Sequence, residues 1–158
     1  MATFVEPNDT LIAATVTGIN GIGTASFSGS IGDNPSIAPG LDVDIFELQL
    51  NADEFLTVDI DADVIGSSLD SYLRLFDASG NQLAANDDAG GSDSALSLVV
   101  PTTGTYYIEL ADFAFADLSF FQGTGDVAAD AFGFVGGEAV LQVANTTVAE
   151  LDSNANFV

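Results

Sequence analysis

The sequence predicts an all-β fold, an antiparallel, jelly-roll-like sandwich of about eight or nine strands. Apolar and polar residues alternate with a period of two in several short segments. Turn-forming combinations of glycine, proline, asparagine and aspartate separate these segments, and none of them shows a strong helical period. The 158 residues, 47% of them hydrophobic, suffice for the core of one domain spanning 1–158.

Seven segments carry the strand pattern. In the segment 43–50, apolar side chains share one face while Glu47 and Gln49 share the other, which is typical of a half-buried strand. The segment 24–31 is the least regular, and a short helical turn near residues 10–14 is an alternative to a loop. In chain order, the predicted strands are 24–31, 43–50, 54–60, 71–77, 95–100, 104–110 and 138–143.

A phenylalanine-rich segment precedes the last predicted strand. Residues 113–134 contain six of the twelve phenylalanines, and glycines and aspartates break any steady alternation. The sequence therefore predicts an insertion at 113–137, whose rings either close the end of the sandwich or form an exposed patch that meets a partner. Residues 146–158 form a predicted tail, docked on its own domain or on a neighbour.

The charge balance excludes several classes of function. There are 24 acidic residues and one base, Arg74, so the formal net charge is −23. Nucleic acid is therefore excluded as a partner. No apolar run approaches the roughly 18 residues of a membrane span, so membrane insertion is not expected. Cysteine, histidine and lysine are absent, which removes thiol chemistry and the usual catalytic bases, and we predict that the protein is not an enzyme.

The aspartates form clusters. Aspartate outnumbers glutamate 18 to 6, and a uniformly acidic surface, as in salt adaptation, would not require clustering. Calcium takes about six to eight oxygen ligands from carboxylates, amides and backbone carbonyls, whereas zinc and copper favour the missing histidine and cysteine. The sequence therefore predicts Ca²⁺ as the cofactor.

Two sets of candidate ligands follow. In the first, the segment "EPND" meets acids at the start of a strand, although a turn or a helix cap is the alternative for this segment alone. In the second, Asp70 precedes a strand expected to pair near the strand that carries "AANDD" and leads into the loop "NDDAGGSD", and a solvated acidic loop is the alternative. The first set is Glu6, Asn8, Asp9, Asp42 and Asp44; the second is Asp70, Asn86, Asp87, Asp88 and Asp93.

Four segments in order resemble the bacterial pre-peptidase C-terminal domain, a family related to the collagen-binding domains of clostridial collagenases. They are "EPNDT", "GLDVDIFELQLN", "GSSLDSYLRLFDASGNQLAANDD" and "DSALSLVVPTTGTYYIEL". The resemblance covers residues 5–112 and resumes at 138–145. It implies a β-sandwich module of secreted proteases and other exported proteins, and hence an extracellular location.

The resemblance also implies which residues bind calcium in the first set. Glu6, Asn8, Asp9 and Asp44 match positions of the family's calcium segment. The chain departs from a collagenase relative at two places, because Phe4 and Leu41 stand where that relative has acids. Asp42 is the candidate substitute for the second of these acids.

Two functions are consistent with these features. The first is a non-catalytic, calcium-binding structural protein of a cell surface, matrix or fibre, which forms homo-oligomers or filaments through residues 113–134 or the tail. The alternative is an accessory substrate-binding or adhesion domain of a larger secreted peptidase or other exported enzyme, which would hold an extracellular polymer or protein. The second function predicts a flat aromatic face, for which Tyr72, Tyr106 and Tyr107 are the available tyrosines.

Overall fold

The chain folds into two five-stranded sheets that pack face to face. Apolar side chains at alternate positions of the strands form the core between them. The computed structural model describes residues 1–37, 42–113 and 137–147, and within these ranges it contains no α-helix. A short 3₁₀ turn occupies Asp63–Ile65. The strands are β1 (Ala2–Thr3), β2 (Thr15–Asn20), β3 (Gly23–Ile31), β4 (Asp44–Leu50), β5 (Glu54–Asp61), β6 (Ser71–Asp77), β7 (Gln82–Asn86), β8 (Ala95–Val99), β9 (Gly104–Asp112) and β10 (Gly137–Thr147).

The topology confirms the predicted all-β sandwich. Sheet A has the order β1-β3-β10-β5-β8, and sheet B has the order β2-β4-β9-β6-β7. Most neighbouring strands are antiparallel, but β1 runs parallel to β3 and β2 runs parallel to β4, so both sheets are mixed. Strand β10 lies between β3 and β5, which makes the last described strand the centre of sheet A.

Each of the seven predicted strands is present, with small shifts at its ends. Strands β1 and β2 were not predicted, whereas the strand expected to carry "AANDD" is present as β7 and pairs with β6. Residues 10–13 form a single hydrogen-bonded turn, in which Ala13 N donates to Thr10 O at 3.0 Å, where the sequence allowed a short helical turn. The boundaries of the insertion and tail also need correction, because β10 includes Gly137 and extends through Thr147. Residues 114–136 and 148–158 lie outside the described residues.

The N-terminal segment is anchored in the core before it reaches the acidic cluster. The ring of Phe4 is buried and meets the ring of Phe46 edge to face, with centroids 5.3 Å apart. Gly29 makes room for it, because a Cβ at this position would lie 2.1 Å from a ring atom of Phe4. Residue 4 therefore packs in the sandwich core, where an acid would be costly.

The one base of the chain lies on the outer face of sheet B. Arg74 and Glu109 are partners in the β6–β9 register, and Arg74 Nε donates to Glu109 Oε1 at 2.8 Å. The guanidinium also lies over the rings of Tyr72 and Phe76, at 5.8 and 5.4 Å from their centroids. Arg74 is 8% exposed and Glu109 is 0% exposed, so this is a buried ion pair.

The three tyrosines do not share one face. Tyr106 points into the core and is 1% exposed, whereas Tyr72 and Tyr107 lie on the outer face of sheet B. Tyr106 is therefore not available for the flat aromatic face that the accessory function predicts. Within the described part of the chain, no helix is long and apolar enough to cross a membrane.

Candidate metal centre

Three chain segments bring the first set of ligands together at one end of the sandwich. Residues 6–9 follow β1, residues 32–34 follow β3, and residues 42–44 lead into β4. Ile45 N donates to Asn8 O at 3.1 Å and holds the first segment against β4. One carboxylate oxygen from each of Glu6, Asp33 and Asp42 lies within 4.8 Å of the other two.

Backbone N–H groups fix the orientation of these acids. Asp42 Oδ2 accepts hydrogen bonds from Gly32 N and, at 3.0 Å, from Asp33 N. Asp9 Oδ1 accepts from Val43 N at 3.4 Å, and its Oδ2 accepts from the side-chain amide of Asn34. Both oxygens of Asp9 therefore have partners, whereas Asp42 Oδ1 has none and is held in place by the bonds to Oδ2.

Five oxygens at this end are buried without a hydrogen-bond partner. They belong to side chains of the first predicted set, of which Asp44 is 0% exposed, Asn8 1% and Asp42 2%. A buried carboxylate oxygen without a partner costs free energy, so such groups are rare unless a cation or water satisfies them. The five are Glu6 Oε1, Asn8 Oδ1, Asp42 Oδ1, Asp44 Oδ1 and Asp44 Oδ2.

Burial and mutual repulsion disfavour ionisation of the carboxyl groups in this cluster. Burial raises the pKa of Glu6 to about 7, and Asp42 and Asp9 add to the rise. Burial likewise raises the pKa of Asp42 to about 6, with a further contribution from Asp9. The pKa of Asp44 lies well above its ordinary value, because of burial first and then the charges of Asp42 and Glu6. At neutral pH these acids need either protons or a bound cation.

The donor set fits calcium. All of its ligand atoms are oxygens from carboxylates and one amide, which hard cations prefer, and the chain has no cysteine or histidine for softer metals. The structure places all five residues of the first predicted set at this end. Asp33 was not predicted as a ligand, and its only sequence signal is the turn "GDNP" directly after β3. Leu41 lies outside the described residues.

Two members of the second predicted set, Asp87 and Asp88, lie near Asp70. Burial raises the pKa of Asp70, and the charges of Asp88, Asp112, Asp87 and Asp63 raise it further, in decreasing order. Asp63 and Asp112 were not predicted as members. Within the described ranges, however, this region does not bring one oxygen from each of three acids within 4.8 Å.

Two residues of the second set have structural roles. Asp93 Oδ1 accepts from Ala62 N at 2.9 Å and from Asp63 N at 3.0 Å, which ties the loop after β7 to the end of β5. Asn86 Oδ1 accepts from Ala95 N at 3.0 Å and links β7 to β8. With these oxygens used for backbone contacts and no cluster of three acids here among the described residues, this region is a less complete site than the first.

Comparison with known proteins places the β-sandwich in context. Residues 42–112 match the model of the bacterial pre-peptidase C-terminal domain. A relative described as a probable subtilase-type serine protease of Deinococcus radiodurans is 46% identical over 71 residues, which is 44% of this chain. The matched region spans 10% of that protease's length.

Two solved structures share the fold. The pre-peptidase C-terminal domain of collagenase from Bacillus anthracis aligns with a TM-score of 0.53 and 14% identity, over 89% of this chain and 99% of that one. PliG of Aeromonas hydrophila, a periplasmic inhibitor of g-type lysozyme, aligns with a TM-score of 0.51 and 19% identity, over 85% of this chain and 100% of that one. At these identities the likeness concerns the fold alone.

Proposed function

Because residues 42–112 match the model of the bacterial pre-peptidase C-terminal domain, in line with the sequence resemblance, we propose that the chain is a calcium-stabilised, non-catalytic β-sandwich module that works outside the cell. The matched region runs from the start of β4 to the end of β9 and includes Asp42 and Asp44. Glu6 and Asn8 belong to the preceding segment, so the proposed site joins the matched region to the N-terminal part of the chain.

The observation that carries the proposal is the set of five buried oxygens without hydrogen-bond partners. In this proposal Glu6, Asn8, Asp42 and Asp44 bind the ion directly, and Asp33 lies close enough to contribute a further carboxylate. The ion supplies positive charge where burial and mutual repulsion otherwise disfavour ionised acids. Its role is structural, because it fixes three segments of one end of the sandwich to one another.

The role of the module is accessory in this proposal. The 46% identity to a probable serine protease supports attachment of such a module to an exported peptidase. The inventory of side chains supports a non-catalytic part, since the chain lacks histidine, cysteine and lysine. The corresponding function is to bind the substrate of an attached enzyme or to mediate its adhesion.

Calorimetric titration with calcium tests the site. The isosteric change Asp44→Asn removes one charge from the centre of the cluster, and we expect calcium affinity there to fall at least about tenfold, because affinity depends on ligand charge. Asp87→Ala is the matched control, and it should leave this site intact while abolishing any second site around Asp70. Unchanged calcium binding in Asp44→Asn would contradict the proposed ligands, and loss of the first site in Asp87→Ala would contradict their separation.

Self-association remains a separate prediction. Most of its predicted carriers, residues 114–134 and 148–158, lie outside the described residues, but Phe113 is described, is 44% exposed and contacts the ring of Tyr72. A structural subunit should form oligomers or filaments in calcium, and Phe120→Ser with Phe121→Ser or removal of 148–158 should reduce them. Light scattering measures the mass, and a strictly monomeric chain in calcium would favour the accessory role.

A further inference from the structure

The outer face of sheet A is built from small side chains. Along β3, β10 and β5, large apolar residues such as Phe27, Leu141 and Val58 point into the core, so the residues between them point outward. The strand register aligns these outward residues in rows across the sheet. One row is Thr24, Ala144, Thr57 and Ser97, and the next is Ser26, Gln142, Asp59 and Ala95.

Two shallow grooves run over this face. Their floors are close to the backbone, because alanine, serine and threonine leave little side chain above the sheet. The first groove lies on β3, β10 and β5, and the second lies on β1, β3 and β10, next to Asp33 and Ile65. The first is lined by Thr24, Ser26, Thr57, Asp59, Gln142 and Ala144, and the second includes Ser28, Ser30, Glu138 and Val140.

The face is negatively charged and has no base of its own. Asp59 and Asp61 project from β5, and Glu138 projects from β10. Gln142 Nε2 donates to Asp61 Oδ2, which holds this carboxylate beside the first groove. The single base of the chain, Arg74, lies in the other sheet, where it pairs with Glu109. No positively charged side chain of the same protein is therefore available to pair with these acids.

We propose that the outer face of sheet A docks an extended segment of a partner protein that carries lysine or arginine. The small side chains let a main chain approach the sheet, and the serine and threonine hydroxyls can donate to or accept from its peptide groups. The acids supply charge complementarity. A second copy of this chain fits poorly, because each copy has a net charge of −23. This inference is independent of the calcium proposal.

The test uses the full chain in millimolar calcium and a fluorescent peptide of alternating lysine and serine. Anisotropy should show binding that weakens with added sodium chloride. Asp59→Asn with Asp61→Asn should weaken it about fivefold, as expected for two exposed charge pairs. The matched control, Glu47→Gln with Asp53→Asn, removes two charges elsewhere and should change affinity less than about twofold. Ala144→Leu fills the first groove without a change of charge and should also weaken binding about fivefold.

Each other outcome overturns the proposal. Equal weakening by the two double variants would mean that the net charge, rather than this face, attracts the peptide. An unaffected Ala144→Leu variant would place the peptide outside the groove. Failure of the peptide to bind the unmodified chain at low salt would remove the site altogether. A fold check by circular dichroism on every variant ensures that a loss of binding is not a loss of structure.

Discussion

Without calcium, the protein is expected to lose stability as the pH rises from about 4.5 to about 7.5. In the unfolded chain, carboxyl groups have pKa values near 4, whereas the folded protein raises the pKa of Asp42 to about 6 and of Glu6 to about 7. The folded state therefore binds more protons across this window, and the free energy of unfolding falls as pH increases. The rises at Asp42 and Glu6 sum to about 4.7 pKa units, or about 6 kcal/mol at about 1.4 kcal/mol per unit, and solvent screening of these two groups reduces the expected loss to on the order of 3 kcal/mol.

Bound calcium should restore most of the unfolding free energy that is lost as the pH rises. A ligand that binds only the folded state adds about 2.7 kcal/mol at a hundredfold excess over its Kd. The effect should be large at about pH 7.5 and small at about pH 4.5, because at low pH the ion must displace protons from Glu6, Asp42 and Asp44. Thermal unfolding in EDTA and in millimolar calcium, measured across the pH range, gives both curves directly.

The controls separate binding from screening. Magnesium, which demands a smaller octahedral site, should stabilise less than calcium, and sodium chloride should act only through general screening. Asp44→Asn should flatten the pH dependence in EDTA, because one raised carboxyl group is gone. Identical pH curves in EDTA and calcium would contradict a calcium site, and full rescue by sodium chloride would support salt adaptation instead.

Breaking the buried ion pair should have an effect of similar size. Arg74→Met leaves Glu109 buried without its cation, and we expect a loss of about 3–5 kcal/mol at neutral pH. Burial already raises the pKa of Glu109, although Arg74 opposes the rise. Removal of Arg74 should raise this pKa further, so the folded variant binds an extra proton and its deficit should shrink as pH falls. Urea unfolding at two pH values measures both effects.

A double variant tests the cause of that loss. Arg74→Met with Glu109→Leu replaces the pair by apolar side chains and should recover to within about 1 kcal/mol of the unmodified protein. Glu138→Gln, which removes an exposed acid, should change stability by less than about 0.5 kcal/mol. If Arg74→Met costs no more than Glu138→Gln, the pair is not important for stability.

The sequence predicted the strands that bury large side chains on one face. Strands β4 and β5 have clear alternation because every inward position holds a large apolar residue or a fixed acid. Strand β2 was missed because, in "TVTGIN", only Ile19 is buried. Strand β7 was predicted only as a strand carrying "AANDD", without bounds, because "QLAAN" has no large buried residue. Strand β1 exists only through its pairing with β3, which no local pattern encodes.

The candidate site was predictable where residue type alone is informative. The segment 6–9 and the acids at 42 and 44 combine the oxygen ligands of a hard cation with a turn and a strand start. Asp33 was missed because its position depends on the turn after β3, whose N–H groups bind Asp42 across the fold. No sequence period relates the residues that this contact joins, so it can be recognised only once the positions of β3 and β4 in the fold are known.

The central position of β10 sets an order of assembly. All five strands of sheet B end by Asp112, so that sheet can form while the rest of the chain is still being synthesised. Sheet A cannot form completely until β10 inserts between β3 and β5. These pairings join residues that are far apart in the sequence, and such contacts form slowly. In the interval β3 and β5 have open edges that could pair with other chains. The net charge of −23 then has a kinetic benefit, because it keeps half-folded chains apart until the last strand is in place.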